Sequence, residues 1–302
     1  MVNDRVIEIV FFRLAVVQER QGNTSTCLFF LLESSKITLV SKESKIMKRV
    51  IVFWALITAG LCSSFFFLQD KKPTLYIIGD STVRNNNKEQ WGWGTLIIDL
   101  FDTSRINVSN NAIAGRSSRS FTNEGRWRRI DSLLKPGDFV MMQFGHNDGS
   151  YPDTSAKNRG TLKGTGEETV ELQFADGRKE TAHTYGWYIR QFVRDAKAKG
   201  AIPIVLSMIP RNIWKDGKVP RASNDFGKWA KEVADQEGAF FVDLNAITAD
   251  KYDEWGEEKV KLLFPGDHTH TNREGAVINA ASVIEGIRRN PAIGLNQYVL
   301  KQ

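Results

Sequence analysis

Residues 74–81 read TLYIIGDS, an apolar run that leads directly into glycine, aspartate and serine. A short apolar run that ends at a glycine is typical of a strand buried inside a sheet. In open α/β sheets the ligand binds beyond the carboxyl ends of the strands, so a polar residue at such an end is a candidate for the functional site. This stretch therefore predicts the first strand of an α/β domain and makes Ser81 a candidate functional residue.

Four further strands are predicted downstream, and amphipathic stretches separate them. The strand candidates lie in RINVSNNAIAG (105–115), DFVMMQFGHND (138–148), AIPIVLSMIP (201–210) and AFFVDL (239–244). The clearest helices are residues 184–200, where apolar residues recur at every fourth position, and residues 271–289, opened by Thr271 and Glu274 in capping-box spacing. Strands that alternate with helices form a parallel sheet covered on both faces. The pattern predicts one three-layer α/β/α domain, residues 70–302.

One segment does not fit the alternation. Residues 150–181 are polar and rich in glycine, and a stretch of that length without secondary structure is usually functional or disordered. Because the segment directly follows GHNDG (145–149), we expect a loop that lines a site; the alternative is a surface insertion.

The N-terminal part has the form of a targeting sequence. Residues 47–68 begin with methionine, lysine and arginine and continue as an uncharged apolar run, as in a secretory signal peptide. The alternative is a membrane anchor, since the run is just long enough to span a bilayer. Because a signal peptide stands at the amino terminus of its protein, residues 1–46 are either an unusual extension or untranslated sequence upstream of a start at Met47. The expected location is secreted or periplasmic.

The charge of the chain argues against nucleic-acid binding. The whole chain has a formal net charge of +6, but residues 65–302 carry 33 lysines and arginines against 30 aspartates and glutamates, a net of +3. A nucleic-acid-binding surface needs a stronger basic excess. Both cysteines, Cys27 and Cys62, precede this part, so the predicted domain has no disulfide, thiolate nucleophile or cysteine metal ligand.

Three hydrogen-bond donors are predicted to meet at one edge of the sheet. Ser81 is expected near a helix start, where free N–H groups stabilise negative charge; alternatively Ser81 or Thr82 only caps that helix. Gly115 can bring its backbone N–H close to a substrate, and Asn147 offers a side-chain amide. Together the N–H groups of Ser81, Gly115 and Asn147 form a candidate oxyanion hole for a tetrahedral intermediate.

The segment DHTH (267–270) offers a base and an orienting carboxylate for a serine nucleophile. Neighbouring side chains in an extended segment point apart, whereas residues three apart across a tight turn can meet. Asp267 is therefore expected to orient His270 as the base, with His268 in a supporting role as a candidate substrate-binding residue. The alternative is a zinc site of His268, His270 and a carboxylate, but no further histidine is near in sequence and the three donors would remain unexplained.

Four motifs resemble the blocks of the SGNH (GDSL-type) hydrolase family: IIGDSTV, NAIAGRS, GHNDG and DHTH. They run in the family's order through nearly all of residues 75–275. The family's serine, glycine, asparagine and histidine fall on Ser81, Gly115, Asn147 and His270, and its aspartate falls three residues before the histidine. The resemblance implies the SGNH hydrolase fold, with a flavodoxin-like five-stranded parallel sheet.

A narrower resemblance concerns GDSTV, WGWG, RGTLKGTGEET and DHTHTN, which are similar to the rhamnogalacturonan acetylesterase branch of that family. The resemblance implies a serine esterase that removes acetyl groups from an acetylated pectic polysaccharide or oligosaccharide and needs no metal or other cofactor. The alternatives are the same chemistry on xylan or a lipid ester, or a non-catalytic carbohydrate-binding protein. No membrane contact is expected beyond the N-terminal segment.

Pectic rhamnogalacturonan carries carboxylates, so its site should hold cations near the nucleophile. Arg84 follows Ser81 by three residues, and Arg116 and Arg119 follow Gly115 closely. Guanidinium groups suit carboxylates because they can bind both oxygens at once. These arginines are therefore candidate substrate-binding residues; the alternative is that they are solvated surface charges.

Overall fold

The computed structural model describes residues 7–16, 29–39, 72–85, 89–155 and 157–301. The chain divides into two compact units, Met1–Lys71 and Lys72–Gln302. In the first unit, strand β1 (Ile7–Val16) pairs antiparallel with strand β2 (Phe29–Leu39). The candidate signal peptide or anchor, residues 47–68, lies outside the described residues. Within the described ranges, no helix has the length and apolarity needed to cross a membrane.

The second unit is built on a parallel sheet. Its described strands, in chain order, are β3 (Thr74–Gly79), β4 (Asn107–Asn110), β5 (Phe139–Gln143), β6 (Thr169–Gln173), β7 (Lys179–His183), β8 (Ile202–Leu206) and β9 (Phe240–Val242). Five of these strands form one sheet in the order β4-β3-β5-β8-β9, and every neighbouring pair is parallel. The predicted five-stranded parallel sheet with flavodoxin-like order is confirmed.

This strand order fixes where a ligand binds. From β3 the chain first adds β4 on one side and then adds the other strands on the opposite side, so the order reverses between β3 and β5. Open α/β sheets bind ligands at such a reversal, beyond the carboxyl ends of the strands. The segments that follow β3 and β5 therefore lie where a site is expected, and they include Ser81 and Asn147.

Helices cover both faces of the sheet. The described helices are α1 (Trp93–Leu96), α2 (Ser118–Asn123), α3 (Arg126–Asp131), α4 (Tyr185–Ala198), α5 (Phe226–Glu237), α6 (Leu244–Trp255), α7 (Glu257–Lys261) and α8 (Arg273–Arg289), with short 3₁₀ turns at Ile97–Leu100, Pro291–Ile293 and Leu295–Tyr298. Ile77 packs in one apolar core with residues of α8, and its neighbour Ile78 packs in a second core with residues of α4 and α5. Successive strand residues point to opposite faces, which gives the predicted three layers.

The cap of helix α8 differs from the prediction. The side chain of Asn272, and not that of Thr271, accepts the backbone N–H of Gly275 at 3.0 Å. Thr271 is buried, and its hydroxyl donates to the carbonyl of Trp91 at 3.3 Å. The expected capping box of Thr271 and Glu274 is therefore wrong by one position, because Thr271 is used to hold the segment before the helix.

The sequence predicted a loop over the whole of residues 150–181, but part of this segment is a β-hairpin. Strands β6 and β7 within it pair antiparallel, and the turn between them contains Gly177 with φ +84°. The turn residues, aspartate followed by glycine, are those that tight hairpins prefer. The alternation of exposed and half-buried residues along β6 is also that of a strand, so the prediction failed by missing the hairpin.

Arg119 anchors this hairpin and is not a substrate-binding residue. Its side chain is fully buried, and its Nε donates to Glu180 at 2.6 Å. Its remaining nitrogens donate to the carbonyls of Gly160 at 3.0 Å and Asp153 at 3.2 Å. Arg119 was predicted from the sequence as a candidate for substrate contact, and that expectation is wrong because no part of the guanidinium reaches solvent.

Candidate active site

The loop after β3 presents Ser81 in a tight turn. The Asp80 carboxylate accepts the backbone N–H of Thr82 at 2.8 Å and its hydroxyl at 2.7 Å. The Asp80 carbonyl accepts the N–H groups of Val83 and Arg84. Residues 81–84 form a turn and not a helix, so the expected helix start and the capping alternative for Ser81 are both wrong. The turn itself fixes the serine.

Close packing behind this turn requires a glycine. A Cβ atom on Gly79 would lie 2.6 Å from the carbonyl oxygen of Gln143 and 2.6 Å from the side chain of Val83. The side chain of Gln143 is buried as well and bridges the hydroxyl of Thr82, at 2.6 Å, and the indole N–H of Trp93, at 2.8 Å. Trp93 is thus a core residue, and this buried network holds the serine turn against the end of β5.

Ser81, His270 and Asp267 form a continuous chain of hydrogen bonds. The Oγ atom of Ser81 lies 2.8 Å from Nε2 of His270, and Nδ1 of His270 lies 2.7 Å from Oδ2 of Asp267. The side chain of His270 is 24% exposed, and that of Asp267 is 39% exposed. Ser81 itself is almost fully buried. The candidate nucleophile, base and orienting carboxylate therefore meet in one place.

The turn of the segment 267–270 is made by Asp267 itself. Its Oδ1 atom accepts the backbone N–H groups of Thr269, at 2.6 Å, and His270, at 2.8 Å, which leaves Oδ2 for the imidazole. Burial raises the pKa of Asp267, but the hydrogen bonds from the His270 ring and from these two N–H groups outweigh it and bring the pKa down to about 2. The carboxylate is therefore ionised at neutral pH.

An ionised carboxylate sets the tautomer of the histidine. A carboxylate only accepts hydrogen bonds, so Nδ1 of His270 carries the proton that points to Asp267. In the neutral ring Nε2 then has a free lone pair, and this lone pair faces the hydroxyl of Ser81. The arrangement can take a proton from the serine.

Gly115 and Asn147 lie at the ends of β4 and β5, as the sequence predicted for oxyanion donors. Gly115 adopts a left-handed backbone with φ +76°, which favours glycine. The Nδ2 atom of Asn147 donates to the carbonyl of Arg116 at 3.1 Å, and its Oδ1 accepts from Arg159 at 2.7 Å. A guanidinium can only donate, so the amide oxygen must face Arg159, and one N–H of Nδ2 remains for a substrate. Among the described residues, the N–H groups of Ser81 and Gly115 have no protein acceptor.

Three of the candidate substrate-binding residues, Arg84, Arg116 and His268, lie outside this hydrogen-bonded chain. Arg84 is exposed and donates to the carbonyl of Asn110 at 3.2 Å. Arg116 forms an ion pair at 3.1 Å with Glu124, a carboxylate that also pairs with Arg126, so its charge is compensated only in part. His268 is exposed, and its carbonyl accepts the N–H of Asn212 at 2.8 Å. Of the three, Arg84 keeps a charge that no described carboxylate compensates.

Two buried carboxyls shape the loops around the site. Burial raises the pKa of Asp80 to about 6, although the hydrogen bonds from Thr82 lower it. Burial likewise raises the pKa of Asp148 to about 7, against the hydrogen bonds from Ser118 and from the N–H of Gly145. Through these bonds Asp148 ties the loop after β5 to the start of α2. Asp148 therefore shapes the loop that carries Asn147.

His146 is neutral. Burial, and next the positive charge of Arg211, lower the pKa of His146 to about 3. Both of its ring nitrogens are buried, and the one polar contact to the ring in the part of the chain that the structure describes is a weak one with the backbone of Ile209, which works against this lowering of the pKa. His146 lines two cavities, one of about 210 Å³ that Arg211 also lines and one of about 430 Å³ that Arg159 also lines.

Arg159, Lys157 and Arg211 are cations near the site that sequence reasoning missed. Lys157 and Arg159 come from the segment 150–181, and Arg211 comes from the loop after β8. Their positions depend on how these segments meet the end of β5. The one local indication was that the segment directly follows GHNDG, which predicted that it lines a site.

Comparison with known proteins identifies relatives over most of the second unit. The model of the GDSL-like Lipase/Acylhydrolase family matches residues 77–278. A rhamnogalacturonan acetylesterase of Emericella nidulans is 36% identical over 214 residues, which are 71% of this chain and 84% of that protein. The probable rhamnogalacturonan acetylesterase YesY of Bacillus subtilis is 30% identical over 235 residues, 76% of this chain and 98% of that protein.

A solved structure supports the same relationship. The crystal structure of the protein YxiM of Bacillus subtilis matches with a TM-score of 0.58 and 27% identity. The match covers 72% of this chain and 57% of that one, so this chain spans little more than half of YxiM.

Proposed function

The chain belongs to the GDSL-like lipase/acylhydrolase family and is a carboxylic ester hydrolase, and from this premise we propose that it removes acetyl groups from rhamnogalacturonan. The observation that carries the proposal is the chain of hydrogen bonds from Ser81 through His270 to Asp267. Relatives at 36% and 30% identity that are named rhamnogalacturonan acetylesterases support the substrate.

The proposed reaction begins at Ser81. As Nε2 of His270 takes the hydroxyl proton, Oγ attacks the acetyl carbonyl and a tetrahedral oxyanion forms. The protonated imidazole, held by the Asp267 carboxylate, gives this proton to the departing sugar oxygen, and an acetyl-serine remains. His270 then takes a proton from water, the hydroxide attacks the acetyl-serine, and the second oxyanion collapses to acetate while Ser81 regains its proton from His270.

The oxyanion is stabilised by donors that are in place before the reaction. These are the backbone N–H groups of Ser81 and Gly115 and the free N–H of the Asn147 amide. Donors that are already oriented need no reorganisation when charge develops, and removal of one such donor typically lowers turnover by about 100- to 1000-fold. The hydrogen bond that Asn147 donates to the carbonyl of Arg116 and the one that it accepts from Arg159 supply the orientation of its amide.

The alternatives concern the acyl substrate. The same chemistry would release acetate from xylan or cleave a lipid ester, since the donors and the base act only on the ester group. Membership of a hydrolase family argues against a carbohydrate-binding protein without turnover. An acidic polymer differs from xylan in its carboxylates, so cations beside the site favour rhamnogalacturonan, and Arg84 and Arg159 are such cations.

We further propose that the enzyme acts outside the cytoplasm, in a secreted or periplasmic form. The support is the sequence of residues 47–68, a basic start followed by an uncharged apolar run. Polymeric pectin does not enter cells, which agrees with this location. Sequencing of the amino terminus of the protein recovered from its native source tests it: a mature chain that retains residues 1–46 would contradict the proposal.

The experiment for the substrate is acetate release from a panel of purified polymers. Acetylated rhamnogalacturonan, acetylated xylan and a lipid ester are compared at equal ester concentration, with Ser81→Ala as the blank. We expect the highest kcat/KM on rhamnogalacturonan. Equal or higher kcat/KM on xylan or on the lipid ester would remove the pectin assignment and leave the esterase chemistry standing.

A further inference from the structure

Arg159 lies against two of the three oxyanion donors. One of its terminal nitrogens donates to Oδ1 of Asn147 at 2.7 Å. The other lies 3.2 Å from the position that a Cβ atom on Gly115 would occupy. The guanidinium therefore stands at the rim of the space where the acetyl group must bind.

The backbone on the far side of Arg159 is fixed. The carbonyl of Gly160 accepts from the buried Arg119 at 3.0 Å, and the N–H of Thr161 donates to the carbonyl of Asp148 at 3.1 Å. A Cβ atom on Gly160 would lie 2.4 Å from the carbonyl oxygens of Ser150 and Tyr151. The backbone at Gly160 therefore packs so closely against Ser150 and Tyr151 that only a glycine fits there. Arg159 is thus a preorganised cation.

No carboxylate in the described part of the chain neutralises the charge of Arg159. Arg116 and Arg119 each have a glutamate partner, at 3.1 Å and 2.6 Å. Neither Arg159 nor Lys157 forms an ion pair with a carboxylate of the described residues. A half-buried guanidinium without a carboxylate partner is a binding group for one.

Lys157 and Arg159 line one cavity of about 430 Å³. Its other lining residues are mostly polar: His146, Asn147, Gly149, Ser150, Asp153 and Ser155. The single acid among them, Asp153, accepts hydrogen bonds from the N–H and the hydroxyl of Ser155, at 3.2 and 2.8 Å. The volume is within the range of small-molecule sites, and two cations face it against one carboxylate.

We propose that this cavity, the Lys157–Arg159 pocket, is a carboxylate subsite that binds a uronic acid residue of the polymer next to the acetylated sugar. The proposal rests on the function proposed above. One guanidinium nitrogen of Arg159 holds Asn147, and its remaining N–H groups bind the carboxylate. Lys157 adds a second positive charge. A single arginine thereby couples recognition of the acidic neighbour to the orientation of an oxyanion donor.

The proposal must be separated from a simpler role in which Arg159 only orients Asn147. Orientation of Asn147 matters for every ester, whereas carboxylate binding matters only for an acidic substrate. Lys157 has no hydrogen bond to Asn147 among the described contacts, so it reports on carboxylate binding alone.

The test compares two forms of one substrate, an acetylated rhamnogalacturonan oligosaccharide and the same oligosaccharide with its carboxyl groups reduced to alcohols. For each variant the measured quantity is the ratio of kcat/KM on the acidic form to kcat/KM on the reduced form. Lys157→Gln should lower this ratio about 3- to 5-fold, as expected for an exposed charge pair, mainly through KM. Arg159→Gln should lower it about 10-fold or more, because it removes charge-assisted hydrogen bonds.

Lys135→Gln is the matched control. Lys135 is exposed and precedes β5, so it lies at the amino edge of the sheet, opposite the site, and its loss removes the same charge. For Lys135→Gln, the ratio of kcat/KM on the acidic form to kcat/KM on the reduced form should equal that of the wild type. The wild-type ratio itself should fall towards one as salt is raised, since exposed charges are screened over about 10 Å at 0.1 M salt.

Other outcomes overturn the proposal in distinguishable ways. If Lys157→Gln and Arg159→Gln keep the wild-type ratio while Arg159→Gln loses turnover on both forms, Arg159 only orients Asn147. If Arg211→Gln alone lowers the ratio, the carboxylate binds in the other cavity. If the wild type releases acetate from a small neutral ester but from neither oligosaccharide, the proposed function fails, and the subsite fails with it.

Discussion

The hydroxyl oxygen of Ser81 lies 2.8 Å from Nε2 of His270, a residue 189 positions away in the sequence. The two segments meet because β3 is an inner strand of the sheet and α8 packs on one face of that sheet, so the loop before α8 reaches the carboxyl end of β3. Among the described residues, the hydroxyl of Ser81 has one acceptor in reach, His270, and the Asp267 carboxylate holds that acceptor in place.

The first prediction concerns this pair. Ser81→Ala and His270→Ala should each reduce ester hydrolysis to the background, and the double variant should be no slower than either, because a nucleophile and its base act as a unit. Steady-state rates on a chromogenic acetyl ester measure this, with circular dichroism to establish that the variants are folded. Additive losses in the double variant would mean that the two residues do not act in one step.

The second prediction concerns the oxyanion hole. Asn147→Ala should lower kcat about 100- to 1000-fold with little change in KM, because the donor acts chiefly on the charge of the transition state. A change in KM with kcat preserved would assign Asn147 to substrate binding instead.

The third prediction separates the two neighbouring histidines. His268→Ala should retain most of the turnover, whereas His270→Ala should not, because the ring of His270 alone bonds to both Ser81 and Asp267. Dialysis against EDTA should leave the activity unchanged. Loss of activity on chelation, with recovery on addition of zinc, would favour a metal site at these histidines.

The fourth prediction concerns stability and pH. Burial raises the pKa of Asp80 to about 6 from its ordinary 3.8, so the folded protein holds this proton more tightly than the unfolded chain. The contribution of the protonated carboxyl to the free energy of unfolding is fully present below pH 3.8 and is lost as the pH rises through about 6. The free energy of unfolding that is lost between these two pKa values is about 3 kcal/mol.

Asp80→Asn removes this pH dependence with little change in shape. The bonds from Thr82 go to Oδ1, which asparagine keeps, and Oδ2 has no partner among the described residues. In urea unfolding, the stability of Asp80→Asn relative to the wild type should rise between pH 4 and pH 6 and stay level above that. A difference that is constant over this range would show that Asp80 does not titrate there.

Much of the fold was predictable because its central strands are covered on both faces. β5 is buried along its whole length and therefore reads as a continuous apolar run. The pairing of Asp267 with His270 was predictable because a three-residue separation in a tight turn is local geometry. These predictions needed no knowledge of distant contacts.

Other elements were missed for identifiable reasons. Helix α6 follows β9, where the sequence predicted no element, and it buries polar residues such as Asn245 and Thr248 that obscure its apolar face. The pairing of Arg119 with Glu180 joins residues 61 positions apart, and no local pattern marks it. The contact of Arg159 with Asn147 is of the same kind, since it depends on how the segment folds back on β5.

The central claim is that Ser81 is the nucleophile, and its most direct test is the mass of the Ser81 peptide. The wild-type enzyme is mixed with acetylated rhamnogalacturonan, quenched in acid within milliseconds, digested and analysed by mass spectrometry. We expect a fraction of the peptide that contains Ser81 to carry one added acetyl group, and Ser81→Ala to carry none. An acetyl group on another residue, or acetate release by Ser81→Ala at the wild-type rate, would contradict the account.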